Sequence, residues 1–217
     1  VPVNGLVLVS RANVHAPLEI YNYLKACGLS YIQFIPCVEL DADGKRCDYA
    51  ITGEQWGAFL LSIFNAWFEK DLGRISIRLF EAILAKKARG IAIDCYNGSA
   101  CNRYLVVEYN GDVYPCDFFV RPDYRLGNIH ENPFEEILSG ERYRKFAAEK
   151  TRWSDRCARC RFMDLCMGDC PKFRCLPDTS DQPLSLLCSG WQTFFSETMD
   201  RFQWLSESIN NGGPQMR

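Results

Sequence analysis

The placement of cysteine constrains this chain more than any other sequence feature. Twelve of its 217 residues are cysteine, and nine of the twelve fall between Cys95 and Cys188. Four of the nine form a C-x2-C-x5-C-x3-C segment: Cys157, Cys160, Cys166 and Cys170. Spacings this short let several thiolates converge on one inorganic centre without regular structure between them. The sequence therefore predicts a metal-bound carboxy-terminal region.

Three chemistries can account for such a segment. Zinc sites pair short cysteine spacings, so one structural zinc is an alternative. Disulfides rank lowest, because dense disulfide domains are short and secreted, and the amino terminus shows no charged-then-apolar signal pattern. Iron–sulfur clusters take four thiolates each. The count favours iron–sulfur chemistry, since four more cysteines complete a second set: Cys95, Cys101, Cys116 and Cys188.

The remaining composition excludes several classes of protein. A hydrophobic fraction of 47% allows a real core, and a net charge of −2 with scattered Lys and Arg argues against nucleic acid as a partner. No apolar run reaches membrane-spanning length. We expect a cytoplasmic protein with no membrane partner. His15 and His130 have no paired acid, and we assign them no role. We interpret the other cysteines as ordinary small hydrophobes: Cys27, Cys37, Cys47 and Cys175.

Residues 1–90 have the pattern of consecutive βα units. Strands are predicted at Val3–Ser10, Tyr31–Pro36 and Ile75–Leu79, the first two forming a parallel pair around a helix at Pro17–Ala26. A capping box at Thr52 and Gln55 starts a second helix, and a third runs through Ala88 to Gly90. We interpret the aromatic stripe of the second helix as core rather than as a cofactor site.

After Gly90 the pattern changes. Strands at Tyr104–Tyr109 and Asp112–Pro115 flank Asn110-Gly111, which predicts a hairpin with a type I′ turn. A short helix is predicted from the Asn132-Pro133 cap to Leu138, followed by a loop-like segment at 157–190. An amphipathic helix over Ser189–Ile209 and a frayed tail complete the chain.

Several segments together resemble one family of enzymes. The segments are YIQFIPCVE, YLVVEYNGDVYPCDFFV, RLGNI, CARCRFMDLCMGDCPKFR and LCSGWQTFF. They resemble the carboxy-terminal portion of anaerobic sulfatase-maturating enzymes, which are radical SAM proteins with a SPASM domain. The resemblance implies an α/β fold. Residues 1–90 would be the last part of a partial (β/α)6 barrel. Residues 91–195 would form a cysteine-rich α+β SPASM domain with a hairpin. Residues 196–217 would be the end of a C-terminal helix and a tail.

The resemblance also implies a set of site residues. One auxiliary [4Fe–4S] cluster would be held by Cys95, Cys101, Cys116 and Cys170. A second would be held by Cys157, Cys160, Cys166 and Cys188. Asp117 matches the catalytic aspartate of the family, and the backbone around Val38 matches a contact to S-adenosylmethionine. From the residues alone, a turn-capping carboxylate is the alternative for Asp117. A nearby negative cluster would raise its pKa toward that of a useful base.

The implied reaction is an oxidation within a protein substrate. A deoxyadenosyl radical made from S-adenosylmethionine removes a hydrogen from Cβ of a sulfatase cysteine or serine, and loss of a proton and an electron leads to Cα-formylglycine. The implied partners are a sulfatase polypeptide and an electron donor such as a flavodoxin or ferredoxin. Alternatives are another SPASM enzyme forming thioethers or cross-links, and a non-catalytic metal-bound module that recognises peptides.

One defining motif of radical SAM enzymes is missing from these residues. The sequence contains no C-x3-C-x2-C, the ligand set of the third cluster, which cleaves S-adenosylmethionine. A complete (β/α)8 barrel takes about 250 residues, and only about 90 here have barrel character. We therefore expect a carboxy-terminal fragment that is inactive alone, with an exposed edge strand at Val3–Ser10 that makes it unstable or oligomeric.

Overall fold

The first part of the chain folds into a parallel sheet. The computed structural model describes residues 2–174 and 184–211. Strands β1 (Asn4–Val9), β2 (Tyr31–Pro36) and β3 (Ser76–Ile77) pair in that order, all parallel. The predicted parallel pair is confirmed, with Asn4 opposite Tyr31. As expected, β1 is an edge strand of this sheet, and its Leu6 and Leu8 side chains are 63% and 56% exposed.

Three helices accompany these strands: α1 (Pro17–Ala26), α2 (Gly53–Lys70) and α3 (Arg78–Arg89). The predicted capping box is confirmed, since the Gln55 N–H donates to Thr52 Oγ1 at 3.1 Å and the Thr52 N–H donates to Gln55 Oε1 at 2.9 Å. Gly90 ends α3 in the left-handed conformation. The strand predicted at Ile75–Leu79 is wrong in its second half, because α3 begins at Arg78 and buries Leu79 as a helical residue.

A three-stranded antiparallel sheet follows α3. It contains β4 (Val106–Val107), β5 (Asp112–Tyr114) and β6 (Gly127–Asn128). The hairpin is confirmed, but the type I′ turn is wrong. That turn needs a positive φ at Asn110 as well as at Gly111, and only Gly111 has one, at 87°. The Gly111 N–H donates to the Glu108 carbonyl, which closes a longer connection with a glycine bulge.

The rest of the chain is mostly short helices. The longer ones are α4 (Phe134–Ser139), α5 (Glu141–Ala148) and α9 (Cys188–Asn210), and α4 starts after Pro133 rather than after an Asn132 cap. The loop predicted at 157–190 is wrong in part, because three single-turn helices lie in or at the edge of it: α6 (Asp155–Ala158), α7 (Met163–Cys166) and α8 (Pro171–Arg174). Short 3-10 helices occur at Asp117–Phe119, Pro122–Tyr124 and Glu149–Thr151.

The hydrophobic core joins the two ends of the chain. Helix α9 packs on α2 and α3, so the core of the parallel sheet is completed by the carboxy-terminal helix. Phe64 lies at its centre, with ring centroids 4.8 Å from Phe202 and 5.2 Å from Phe80. The aromatic stripe of α2 is thus core, as predicted. Within the described residues, none of the helices is both long and apolar enough to cross a membrane.

Candidate metal centres

Four cysteines border a cavity between the parallel sheet and the antiparallel sheet. The cavity measures about 630 Å³. Its cysteines come from three places: the loop after α3, the second residue after β5 and the residue before α8. They are Cys95, Cys101, Cys116 and Cys170. We call this space the first cavity.

Four other cysteines border a separate cavity of about 500 Å³, the second cavity. Cys157 lies in α6, Cys160 two residues after it, Cys166 at the end of α7 and Cys188 at the start of α9. Burial raises the pKa of the Cys188 thiol, and the neighbouring thiols of Cys157 and Cys160 raise it further.

The structure therefore separates the eight cysteines into the two groups of four that the resemblance implies. That they are ligands stays a prediction. Among the described residues, no three His, Cys, Asp or Glu side chains surround a position that a single metal ion would occupy. The thiols of each group are arranged around a space rather than around a point. Cys175 lies outside the described residues.

A left-handed segment sends Cys166 and Cys170 to different cavities although only three residues separate them. Met167, Gly168 and Asp169 all have positive φ, at 50°, 70° and 64°. Such a run reverses the chain after α7, and it costs conformational energy at the two residues that are not glycine. Two hydrogen bonds hold the Asp169 carboxylate in place. It accepts from the backbone N–H of Cys170 (2.7 Å) and from Trp191 Nε1 (2.9 Å).

Burial keeps most of these thiols protonated in the absence of a cation. It raises the pKa of Cys95 and of Cys116 to about 12, and nearby Asp94 and Asp117 add to the effect. Burial also raises the pKa of Cys166 and of Cys170, with Asp169 adding to both. A thiolate here needs a compensating positive charge. Four buried thiols around a space fit a polynuclear iron–sulfur centre, whose iron supplies that charge.

Asp117 borders the first cavity. It is the first residue of the 3-10 helix after β5, its side chain is exposed, and Oδ1 accepts the Cys116 Sγ–H at 3.1 Å. The carboxylate therefore lies directly beside one member of the first cysteine group and is accessible to solvent. Its catalytic role stays a prediction.

Val38 is placed differently from Asp117. It follows β2 and packs in the hydrophobic core with 3% exposure, and it does not line the first cavity. The cavity is instead bordered by the end of β2 itself, including Ile35 and Pro36. The predicted contact from the Val38 backbone is untested. His15 and His130 are exposed and line neither cavity.

Three buried charged residues near the cysteines were not identified from the sequence. They are Lys150, Asp169 and Arg174. None lies in a recognisable motif, and Lys150 and Arg174 are of a type that is almost always exposed. The position of Asp169 inside the cysteine segment is the one sequence signal for a buried charge here. An aspartate in such a loop is equally typical of a turn.

Comparisons with known proteins agree with this arrangement. Residues 95–161 match the model of the SPASM domain, an iron–sulfur cluster-binding domain. The chain is 33% identical to a serine-type anaerobic sulfatase-maturating enzyme of Bacteroides thetaiotaomicron, over 96% of this chain and 54% of that enzyme. It is 30% identical to a cysteine-type anaerobic sulfatase-maturating enzyme of Clostridium perfringens, over 96% of this chain and 57% of that enzyme.

The fold has a close counterpart among solved structures. Native anSMEcpe with bound AdoMet and Kp18Cys peptide superposes with a TM-score of 0.84 at 27% identity, over 94% of this chain and 57% of that chain. The resemblance to anaerobic sulfatase-maturating enzymes is therefore confirmed, together with the mixed α/β fold and the SPASM domain. The chain spans about half the length of the curated relatives it matches, which fits their carboxy-terminal portion.

Proposed function

We propose that this chain is the auxiliary-cluster and substrate-facing part of a radical SAM sulfatase maturase. The parent enzyme would be an oxidoreductase that converts a cysteine or serine of a sulfatase to Cα-formylglycine. The observation that carries the proposal is the division of eight thiols between two cavities, one of which is also bordered by Asp117. Residues 1–90 would be the last part of a partial (β/α)6 barrel, which the parallel order β1–β2–β3 supports.

Each cavity would hold one auxiliary [4Fe–4S] cluster. The first would be bound by Cys95, Cys101, Cys116 and Cys170. The second would be bound by Cys157, Cys160, Cys166 and Cys188. When bound, such clusters accept and pass on single electrons. The chain itself supplies the thiolates, keeps them buried and holds the two groups apart with the left-handed turn after α7.

Asp117 would act as the base. Removing a hydrogen atom from Cβ of the substrate leaves a radical that must lose one electron and the proton of its hydroxyl or thiol to become a carbonyl or thiocarbonyl. An exposed carboxylate that borders the first cavity would take that proton. As a cluster ligand Cys116 would be a thiolate without the proton that Asp117 Oδ1 accepts in this structure, and Oδ1 would then be available to the substrate.

S-adenosylmethionine and a third [4Fe–4S] cluster would act only in the full-length parent. These 217 residues contain no C-x3-C-x2-C, so we propose that the polypeptide alone does not cleave S-adenosylmethionine. Val38 would contribute a backbone contact to that cofactor. The partners would be a sulfatase polypeptide, in keeping with the peptide bound by the solved relative, and a flavodoxin or ferredoxin as electron donor.

Anaerobic reconstitution tests the metal assignment. Two clusters require about eight iron and about eight sulfide per chain. One or two zinc ions without sulfide would instead indicate a structural metal module and refute the proposal.

An Asp117→Asn substitution in the full-length parent tests the role of the base. We expect formylglycine formation in a sulfatase peptide to be lost while the iron content stays unchanged, because Asn cannot accept the proton. Asp123→Asn is the matched control: Asp123 is also exposed in the first turn of a 3-10 helix, but does not line the first cavity. Unchanged formylglycine formation in Asp117→Asn, or formation of a thioether, would exclude this assignment.

A further inference from the structure

A buried layer of charged residues, Lys150, Asp169 and Arg174, lies beside the first cavity, which Asp169 itself borders. Lys150 is completely buried, and its ammonium group donates to the carbonyl oxygens of Tyr96 (2.5 Å) and Asp169 (2.7 Å). Arg174 is 3% exposed and donates to the carbonyls of Arg152 (2.9 Å) and Lys150 (2.9 Å). Both cations therefore have neutral hydrogen-bond acceptors.

The layer carries more positive than negative charge. Its one carboxylate, Asp169, is 1% exposed and is occupied by Ser185 Oγ (2.6 Å), Trp191 Nε1 and the Cys170 N–H. Within the described ranges, 2–174 and 184–211, neither Lys150 nor Arg174 forms an ion pair with a carboxylate. Among the residues that the structure describes, the buried Nε–H of Arg174 also has no hydrogen-bond partner. Buried charge without an opposite charge is costly.

The first cavity is next to Lys150. The two carbonyls that accept from the Lys150 ammonium belong to Tyr96 and Asp169, which themselves border that cavity. In sequence these residues are adjacent to Cys95 and Cys170. Both line the first cavity. A cluster with four thiolate ligands is an anion, and its charge becomes more negative when it is reduced.

We propose that Lys150, supported by Arg174, is a built-in counter-charge for the centre in the first cavity and sets its reduction potential above that of the second centre. This inference rests on the proposed function, because it requires clusters in the two cavities. A fixed cation close to one centre stabilises the reduced form of that centre most, since Coulomb attraction falls with distance.

Redox titration of the reconstituted full chain, followed by electron paramagnetic resonance, tests the proposal. Lys150→Gln removes the charge and keeps N–H donors for the two carbonyls. We expect the higher of the two midpoint potentials to become more negative and the other to shift less, because Lys150 acts on Cys166 of the second cavity as well. Lys145→Gln, which removes an exposed lysine paired with Glu141 on α5, is the matched control and leaves both potentials unchanged.

Lys150→Arg separates charge from packing. It keeps the positive charge, so we expect a potential close to wild type. Two results overturn the proposal. One is wild-type potentials in Lys150→Gln, and the other is a shift in Lys150→Arg as large as the shift in Lys150→Gln. If Lys150→Gln takes up no iron, recovery of iron and potential in Lys150→Arg supports the role of charge, and failure of both variants refutes it. A wild-type chain that takes up no iron and sulfide refutes instead the proposed function.

Discussion

Gly190 lies where helices α2 and α9 approach most closely, and replacing it with alanine tests how this contact supports the second cavity. A Cβ at residue 190 would lie 2.0 Å from the carbonyl oxygen of Gly53 and 2.9 Å from the Gly57 nitrogen. Both obstructing atoms belong to the backbone of α2, so no side-chain rotation relieves the overlap. The two helices must separate by more than about 1 Å to restore ordinary contact.

The size of the effect follows from two opposing contributions. Alanine is better than glycine inside a helix by about 1 kcal/mol, so sequence reasoning alone predicts that Gly190→Ala stabilises the protein. Overpacking costs about 1–3 kcal/mol, and a clash with backbone on a fully buried face belongs at the upper end. The net result is a loss of about 2 kcal/mol in the free energy of unfolding. For a chain of this size that lowers Tm by roughly 4–8 °C.

Thermal unfolding followed by circular dichroism measures the loss. Thr193→Ala is the matched control, because residue 193 is exposed on the same helix and gains helix propensity without a clash. Cys188 precedes Gly190 by two residues and lines the second cavity, so we also expect Gly190→Ala to bind less iron after reconstitution. A Tm for Gly190→Ala equal to or above that of the wild type would refute the packing argument.

Two further predictions concern the thiols and a buried carboxylate. Cys157→Ala should lower the iron content of the reconstituted chain by about four atoms. Cys27→Ala, which replaces an exposed cysteine at the end of α1, should leave the iron content unchanged. Equal iron in both variants, by colorimetric assay, contradicts the ligand assignment. Burial alone raises the pKa of Asp71, but hydrogen bonds from Lys25 (2.7 Å) and Tyr21 (3.0 Å) outweigh it and hold that pKa below its ordinary value. The stabilisation is therefore complete above about pH 4 and is lost as pH falls through the folded-state pKa. We expect Asp71→Asn to lower the free energy of unfolding by about 2 kcal/mol at pH 7, with the two proteins converging in acid; a gap in urea unfolding that persists at pH 2 disproves the sign.

Local sequence signals predicted the elements that depend on local physics. The α1 and β2 boundaries and the Thr52–Gln55 capping box agree with the structure because caps, glycine stops and apolar runs act within a few residues. The errors occur where another part of the chain decides the conformation. Leu79 is helical rather than extended because the helical register buries it against the core.

The cysteine-rich segment shows the same limit. Its single-turn helices α6, α7 and α8 are too short to have a periodic signal, and they are fixed by the contacts that surround them. Asn110-Gly111 is a frequent hairpin signal, yet the longer connection here places only Gly111 at positive φ. Local preference describes which turns are possible, and pairing of β4 with β5 selects one of them.

By itself the sequence determined that this chain has a βα part, a cysteine-rich part and eight thiols that suit two four-ligand centres, because composition and short spacing are properties of the linear chain. Spacing does not divide those thiols into two groups; the resemblance implied a division, and only the tertiary structure shows it in space. Cys166 and Cys170 are neighbours in sequence and line different cavities, since three left-handed residues reverse the chain between them. The sequence also did not reveal the buried cations. The free-energy cost of burying Lys150 depends on carbonyl groups 19 and 54 residues away, which only folding brings to it.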